Sequence, residues 1–372
     1  MKIIGIAGGG QLGRMLTDAA HTLRYSVIVL DPTPNSPAGL VADEQIVGDY
    51  KDKAHMEMLA QKVDVVTFEV ESVNAEALIE IAAAGKPVHP LAQTLKIIKD
   101  KLFQKSHFSK LSIPVADFAE VSSIHMAADA GALLGYPFIL KTRRGGFDGR
   151  GNALIDTVQD IPDAVQRLGT DLYAEKLVLF QKELAVVAAR TVSGEIVIYP
   201  LIETIHRDHI CHMTLVPANV PDTVLKKAHD VAKQALTSFE GAGVFGIEMF
   251  LVGEDIIINE IAPRVHNSGH WTIEGAETSQ FEQHIRAITG MPLGSVALKA
   301  PAAVMINILG ERNALADPQG VTEAEKIEGV KVHMYGKIET RMKRKMGHIT
   351  ALAETLPMAR SNVEKARSLI TI

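Results

Sequence analysis

The sequence predicts a chain of mixed α/β and α+β class, in two or three lobes, opening on a Rossmann-like parallel sheet. Three observations carry this. The chain has 372 residues, more than one typical domain, and 47% of them are hydrophobic. Strand-like and helix-like runs alternate through about the first hundred residues, the pattern of a parallel sheet. Farther on, strand pairs meeting at glycine turns take over.

Ile3 to Ala7 is an apolar, β-rich run leading straight into Gly8, Gly10 and Gly13. Met15, Leu16, Ala19 and Ala20 then recur at helical spacing. Segment 25–31 is a second buried strand, stopped by Pro32, Pro34 and Pro37. Segment 63–71 is a third strand, and 74–85 is a helix closed by Gly85. Segment 95–111 predicts one amphipathic helix leading out of this lobe. Segment 136–155 reads strand, glycine-rich loop, strand; 172–178 is a strand; 182–203 holds a hairpin turned at Ser193-Gly194. A helix follows over 222–241 and a second hairpin over 244–264. The last eighty or so residues mix helix and strand without a clear period.

Charge and cysteine content narrow the function classes. The net charge is −6, from 38 basic and 44 acidic residues. Such a balance builds no global field for DNA or RNA. The single cysteine, Cys211, forms no intrachain disulfide and points to a reducing compartment. No basic flank, apolar core and small-residue cleavage site open the chain, and no apolar run reaches membrane-spanning length. The expectation is a cytoplasmic protein with no nucleic-acid or membrane partner.

Gly8, Gly10 and Gly13 fit G-x-G-x-x-G between a strand and a helix, and Asp31 ends the next strand where a ribose-binding carboxylate would stand. Three readings stay open at this point: NAD, another polar ligand, or a tight turn with no ligand.

The hairpin of 246–264 is more specific. With its turn centred on Glu254, residues whose numbers sum to 508 face each other, which pairs Glu248 with Glu260. Two carboxylates side by side among apolar neighbours repel. A divalent cation such as Mg²⁺ resolves that, and Asn259 adds a neutral oxygen nearby. The alternative is two solvated glutamates, since a one-residue slip moves the side chains to different faces.

A second glycine loop follows Lys141. It holds Gly145, Gly146, Gly149 and Gly151 with Arg143, Arg144 and Arg150 among them. A loop of this kind folds over a polyphosphate and excludes water, although it is not a P-loop. The bland reading is an exposed basic hairpin tip. Near the C-terminus, Lys337, Arg341, Lys343, Arg344 and Lys345 cluster with one aromatic, Tyr335, which suits a single phosphate pocket better than a nucleic-acid surface.

Taken together, "GGGQLGRM", "VLDPTPNSPA", "TFEVE", "YPFILKTRRGGFDGRG", "EKLV", "NEIAPRVHNSGHWTIEGAETSQFEQHIRAITG" and "RKMGH" resemble the ATP-grasp superfamily. Within it they resemble the family of N5-carboxyaminoimidazole ribonucleotide synthetases. The resemblance runs over almost the whole chain. It implies an ATP-grasp fold with a Rossmann-like lobe over 1–98, a small central lid lobe over 99–174 and a larger C-terminal lobe over 175–372. It implies a ligase that uses ATP, Mg²⁺ and bicarbonate to carboxylate aminoimidazole ribonucleotide through carboxyphosphate, in purine biosynthesis, as a homodimer.

Site residues follow from the same resemblance. Lys101 and Lys141 meet the ATP phosphates, with Gly146, Asp148, Gly149 and Gly151 in the covering loop. Glu175, Lys176, Leu177 and Val178 meet the adenine. Glu183 takes the ribose hydroxyls, and His206 and Asn259 complete the nucleotide site. Glu248 and Glu260 hold Mg²⁺. Gln11, Leu12 and Glu69 contact the ribonucleotide, and Lys337, Arg344 and Lys345 its 5′-phosphate. Arg264, His266 and Asn267 line the bicarbonate position, and Asp148 is the candidate base. The first glycine loop then serves the ribonucleotide rather than NAD, and Asp31 is a turn residue. Two positions depart from the family pattern: Lys101 stands where Arg is usual, and Phe147 where Tyr is usual. Two rivals remain: a formate-using ATP-grasp ligase acting on glycinamide ribonucleotide, and an NAD-dependent oxidoreductase.

Overall fold

The computed structural model describes residues 2–146 and 149–372. Phe147 and Asp148, and with them the candidate base, lie outside the described residues.

The first lobe carries a four-stranded parallel sheet in the order Glu44–Val47, Ser26–Asp31, Ile3–Ala7, Val65–Phe68. Helices Gln11–Thr22 and Lys53–Lys62 connect its strands, and Ala75–Ala83 follows the last of them. The edge strand Glu44–Val47 and the helix Lys53–Lys62 have no counterpart in the sequence reading. The strand buries only Ile46, and the helix buries three of its ten residues, so neither prints a strong apolar period.

The single helix expected over 95–111 is two helices, Ala92–Ile98 and Lys101–Lys110. Asp100 breaks them apart: its carboxylate caps the second helix by accepting from the Phe103 N–H at 3.3 Å. This second helix packs away from the central sheet. Phe108 and Ile113 share a core with Leu184, Phe245 and Ile258 of the large lobe.

The central lobe is an antiparallel sheet, Phe118–Val121, Leu172–Lys176, Phe138–Thr142, Asn152–Ile155, with its own small core around Phe138, Leu140, Ile155 and Ile161. Its sheet continues to Lys176, two residues past the boundary that the sequence suggests.

Nine strands form the large antiparallel sheet. Its strand Lys182–Arg190 alternates between two apolar cores: Ala185, Val187 and Ala189 face one, Leu184, Val186 and Ala188 the other. On the first of these faces the N-terminal lobe docks, burying Ile4, Ile6 and Leu16 with Trp271 and Phe281. A buried hydrogen bond of 2.8 Å joins Thr67 Oγ1 to His284 Nε2 across that junction. The C-terminal segment, opaque in sequence, supplies strands Ala302–Leu309, Val330–Met334 and Lys345–Ala353 and the helix Leu356–Leu369 that covers them.

Candidate functional site

The expected carboxylate pair forms, by a different route. Near the hairpin tip Val252 faces Asp255, Phe250 faces Ile257 and Met249 faces Ile258, one residue off the expected register. The turn is the two-residue Gly253-Glu254, with Gly253 at φ 63°, where a side chain would be strained. A bulge at Asn259 then shifts the ladder, and Glu248 pairs with Glu260. The bulge has a packing cause. Ile256, Ile258 and Ile261 all lie in the apolar core, which strict alternation forbids. The extra residue lets Ile261 turn inward and Glu260 outward. Asn259 Nδ2 donates to Glu248 Oε2 at 3.4 Å, so the amide holds the glutamate in addition to making the bulge.

Electrostatics at the pair are uneven. Burial first, then the charge of Glu260, pushes the Glu248 carboxyl up to about 7. Burial acts against ionisation of Glu260 too, but Lys101, 2.5 Å away, and then Lys141 overcome it and hold its carboxyl at about 2. The pair shares one face, faces lysines and keeps oxygen donors turned to the cleft. That donor set fits a hard divalent cation.

Behind it lies a buried charge cluster. Glu175 is 2% exposed, with Lys141 at 3.3 Å and Lys105 at 3.4 Å. Burial opposes ionisation of Glu175, yet the two lysines bring its carboxyl below its usual value. Its side chain is therefore committed to the lysines, and only its backbone faces the segment 176–178 expected at the adenine. Lys176 is exposed with Asp117 at 3.4 Å, and Leu177 and Val178 are half-buried. Lys105 also donates to the Ile258 carbonyl at 3.1 Å, next to the bulge. Sequence reasoning missed Lys105; its place one helical turn after Lys101 is the only signal. Gln104 was missed as well, and it bonds both the Ile261 N–H and C=O beside Glu260.

The second glycine loop is anchored rather than free at its start. Arg143 and Arg144 both bind Asp100, and Arg144 also binds Asp171 at 2.8 Å. These two arginines, read from sequence as part of the cationic cover, are tied down by carboxylates of the protein itself. Gly145, Gly149 and Gly151 have φ of 74°, 74° and 87°. A Cβ on Gly149 would come within 2.5 Å of His209, on the hairpin tip of the large lobe, so the loop meets that tip closely. Gly146 is half-buried beside Gly151. Across the cleft Glu183 and His206 form an ion pair, and Glu183 holds the imidazole above its ordinary range against the opposing effect of burial.

At the first loop, the amides of all four glycines already have a carboxylate or carbonyl. Gly9 N–H donates to Asp31 at 2.8 Å, Gly13 N–H to Glu69 at 2.7 Å, Gly10 N–H to the other oxygen of Glu69, and Gly8 N–H to Leu30. Asp31 also accepts from Thr33 N–H. A dinucleotide pyrophosphate would meet occupied amides and two carboxylates, so the NAD reading fails on geometry and charge. Glu69 is 5% exposed; it positions the loop, with Gln11 half-buried and Leu12 packed inward. Opposite stand the C-terminal cations. Lys337 Nζ donates to the Lys345 carbonyl at 2.6 Å and lies 5.6 Å from the Tyr335 ring centroid. Burial, then Arg344, brings its ammonium down to about 7. Arg344 donates to the Glu339 carbonyl, and Arg14 reaches the Tyr335 carbonyl at 3.4 Å, tying the first helix to this segment.

Between the two loops, Arg264 pairs with Glu71 at 2.7 Å, and its Nε has no partner. His266 Nε2 lies 3.5 Å from Glu248, and its Nδ1 meets Ser268 Oγ at 2.8 Å. Burial, then Arg264, keeps this imidazole neutral, near about 3. Asn267 is different: its amide is paired in both directions with Asn307, at 2.7 and 3.0 Å. This pair ties the turn Asn267–Gly269 to the strand Ala302–Leu309, and Asn307 had no signal in the sequence.

Comparison with known proteins agrees with this arrangement. Residues 1–99 match the ribonucleotide synthetase preATP-grasp domain, 106–281 the ATP-grasp domain, and 303–362 the phosphoribosylaminoimidazole carboxylase C-terminal domain. A phosphoribosylaminoimidazole carboxylase of Ogataea methanolica is 43% identical over 95% of this chain. The chain spans about two thirds of the length of such fungal relatives, 67% of that one and 65% of a Schizosaccharomyces pombe carboxylase. The crystal structure of N5-carboxyaminoimidazole ribonucleotide synthetase from Thermotoga maritima is 42% identical, with a TM-score of 0.91 over 100% of this chain and 99% of its own. That of the Aspergillus clavatus enzyme, in complex with ADP and 5-aminoimidazole ribonucleotide, is 38% identical with a TM-score of 0.91, covering 99% of this chain and 98% of its own.

Proposed function

From the premise that this chain belongs to the N5-carboxyaminoimidazole ribonucleotide synthetase family of ATP-grasp ligases, we propose that it carboxylates 5-aminoimidazole ribonucleotide with bicarbonate at the expense of ATP. The observation that carries the reading is the carboxylate pair Glu248 and Glu260, facing Lys101 and Lys141 between the two glycine loops.

ATP lies in the cleft between the central and large sheets. Its phosphates are met by Lys141, with Lys101 free to exchange Glu260 for a phosphate oxygen. Glu183 and His206 stand at the ribose end. Glu248 and Glu260 would hold Mg²⁺, which when bound neutralises phosphate charge. Bicarbonate is oriented by Arg264 and the neutral His266 and attacks the γ-phosphoryl group. ADP leaves and carboxyphosphate forms. Lysine charge and loop amides stabilise the charge that spreads over the transferring group. The anchored loop 143–151 keeps water from the anhydride. Carboxyphosphate breaks to CO₂ and phosphate, and the exocyclic amine of the ribonucleotide attacks the CO₂. The rigid first loop and Lys337, Arg344 and Lys345 keep that amine within reach.

The domain spans 1–98, 99–174 and 175–372, a homodimeric state and cytoplasmic residence remain part of this proposal. Incubation with ATP, labelled bicarbonate and aminoimidazole ribonucleotide tests it: label is expected in an acid-labile N-carbamate, with one ADP released per carbamate. ADP release that depends on formate and glycinamide ribonucleotide instead would overturn it. Glu260→Gln is expected to lower turnover by about 10³-fold or more.

A further inference from the structure

A second cluster of ligating side chains lies apart from the carboxylate pair. His333 and His348 face each other directly across the antiparallel strands Val330–Met334 and Lys345–Ala353. Their rings stack, with centroids 4.6 Å apart and planes at 18°. Glu274, from the short helix Thr272–Gly275, meets His333 Nε2 with its Oε1 at 2.7 Å. One ligand atom from each of the three lies within 4.8 Å of the others.

Two atoms in this cluster are buried without a partner: Glu274 Oε2 and His348 Nε2. His348 is 0% exposed, so its ring nitrogen is closed to bulk solvent. Leaving both unsatisfied is costly and asks for an explanation. The other nitrogen of His348, Nδ1, sits 3.0 Å from the Tyr335 hydroxyl. That is the outer contact a ligating histidine ordinarily makes, and it leaves Nε2 as the nitrogen open to a ligand.

We propose that Glu274, His333 and His348 bind a late first-row divalent cation of the zinc class, with water as a further ligand. Two imidazoles and a carboxylate suit zinc and its neighbours, whereas Mg²⁺ selects oxygen. Ligand atoms about 2.0–2.1 Å from one ion stand roughly 3.4 Å apart, so on binding the His333–Glu274 pair, 2.7 Å apart, opens slightly and His348 draws in toward it. His333 is 33% exposed and Glu274 14%, which gives the ion a route from solvent. The bound ion clips the turn after the Trp271 core to the sheet edge that carries Lys337 and Lys345.

The full chain, stripped with a chelator and held in excess Mg²⁺ without nucleotide, is titrated with Co²⁺ and then Zn²⁺. One equivalent of Co²⁺ is expected to give the strong visible absorption of a four-coordinate ion, and Zn²⁺ is expected to displace it. His333→Gln and Glu274→Gln are expected to weaken binding at least 10-fold while far-UV dichroism and ADP affinity stay unchanged. Glu260→Gln is expected to keep the signal in full, which separates this site from the one proposed for Mg²⁺ and from the carboxylation itself. Absence of stoichiometric Co²⁺ binding in the unaltered chain would overturn the proposal without any variant. Equal binding in the two cluster variants, or loss in Glu260→Gln, would also overturn it.

Discussion

The two glycine-rich loops look alike as text and differ as physics. In the first, residues 8–13, the amides point inward at Asp31 and Glu69, so the loop is a closed unit with acid at its heart. In the second, which starts at Arg143, the chain is fastened by its own arginines to Asp100 and Asp171, and Gly149, at positive φ, is where it meets His209. Glycine grants close approach in both. The neighbouring charges decide what approaches. An acid-filled loop rejects a pyrophosphate and suits a neutral or amine-bearing ring, whereas a loop leading from Lys141 suits polyphosphate.

That contrast can be broken experimentally, and the largest effect is expected at Glu69. Glu69→Ala frees two buried amides at once and should lower kcat/KM for the ribonucleotide by about 100-fold or more, with stability reduced by about 1–3 kcal/mol. ADP affinity, measured by calorimetry, should hold. Equal loss for both substrates would mean that the loops do not divide their work. Asp100→Asn is the reciprocal change. It loosens Arg143 and Arg144, which keep Asp171, and KM for ATP should rise about 10-fold while KM for the ribonucleotide stays put.

Lys337 sharpens the comparison by pH. Its ammonium, brought down to about 7 by burial and then Arg344, loses its charge as pH rises through that value. Phosphate binding favours the protonated form, so KM for the ribonucleotide should climb several-fold between pH 7 and 9, and Lys337→Arg should flatten the climb. KM for ATP should not follow this profile. The smallest expected effect is none at all: NAD should leave the melting temperature unchanged where Mg-ATP raises it.

How much of this was readable beforehand depends on where the signal lives. Apolar runs in the parallel sheet follow from their period and were legible, whereas the facing glutamates were reached from a turn placed one residue off, and the bulge at Asn259 restored the pairing. Glu44–Val47 and Lys53–Lys62 were not, because an edge strand and a half-solvated helix carry little apolar pattern. The break at Asp100 was hidden because a capping aspartate inside an amphipathic run reads as a solvated helix residue, and the two arginines that hold its carboxylate lie more than forty residues away. Lys105, Gln104 and Asn307 act through buried contacts to distant strands, and nothing local distinguishes them from ordinary helix or strand residues. Many roles, among them those of Lys337, Arg344 and Glu183, came through family resemblance and not through spacing.

Asn259 leaves the hairpin with two halves that keep separate time. Outboard of it the strands count from the Gly253-Glu254 turn; inboard they count from the carboxylates. Lengthening the tip by matched pairs of residues should therefore leave the acidic face untouched, and removing Asn259 alone should close the bulge with Glu260 still opposite Glu248, at the cost of the amide that donates to Glu248. The extra residue thus sets the phase between the two halves, and a single residue inserted between it and the tip should shift the tip without moving the acidic pair.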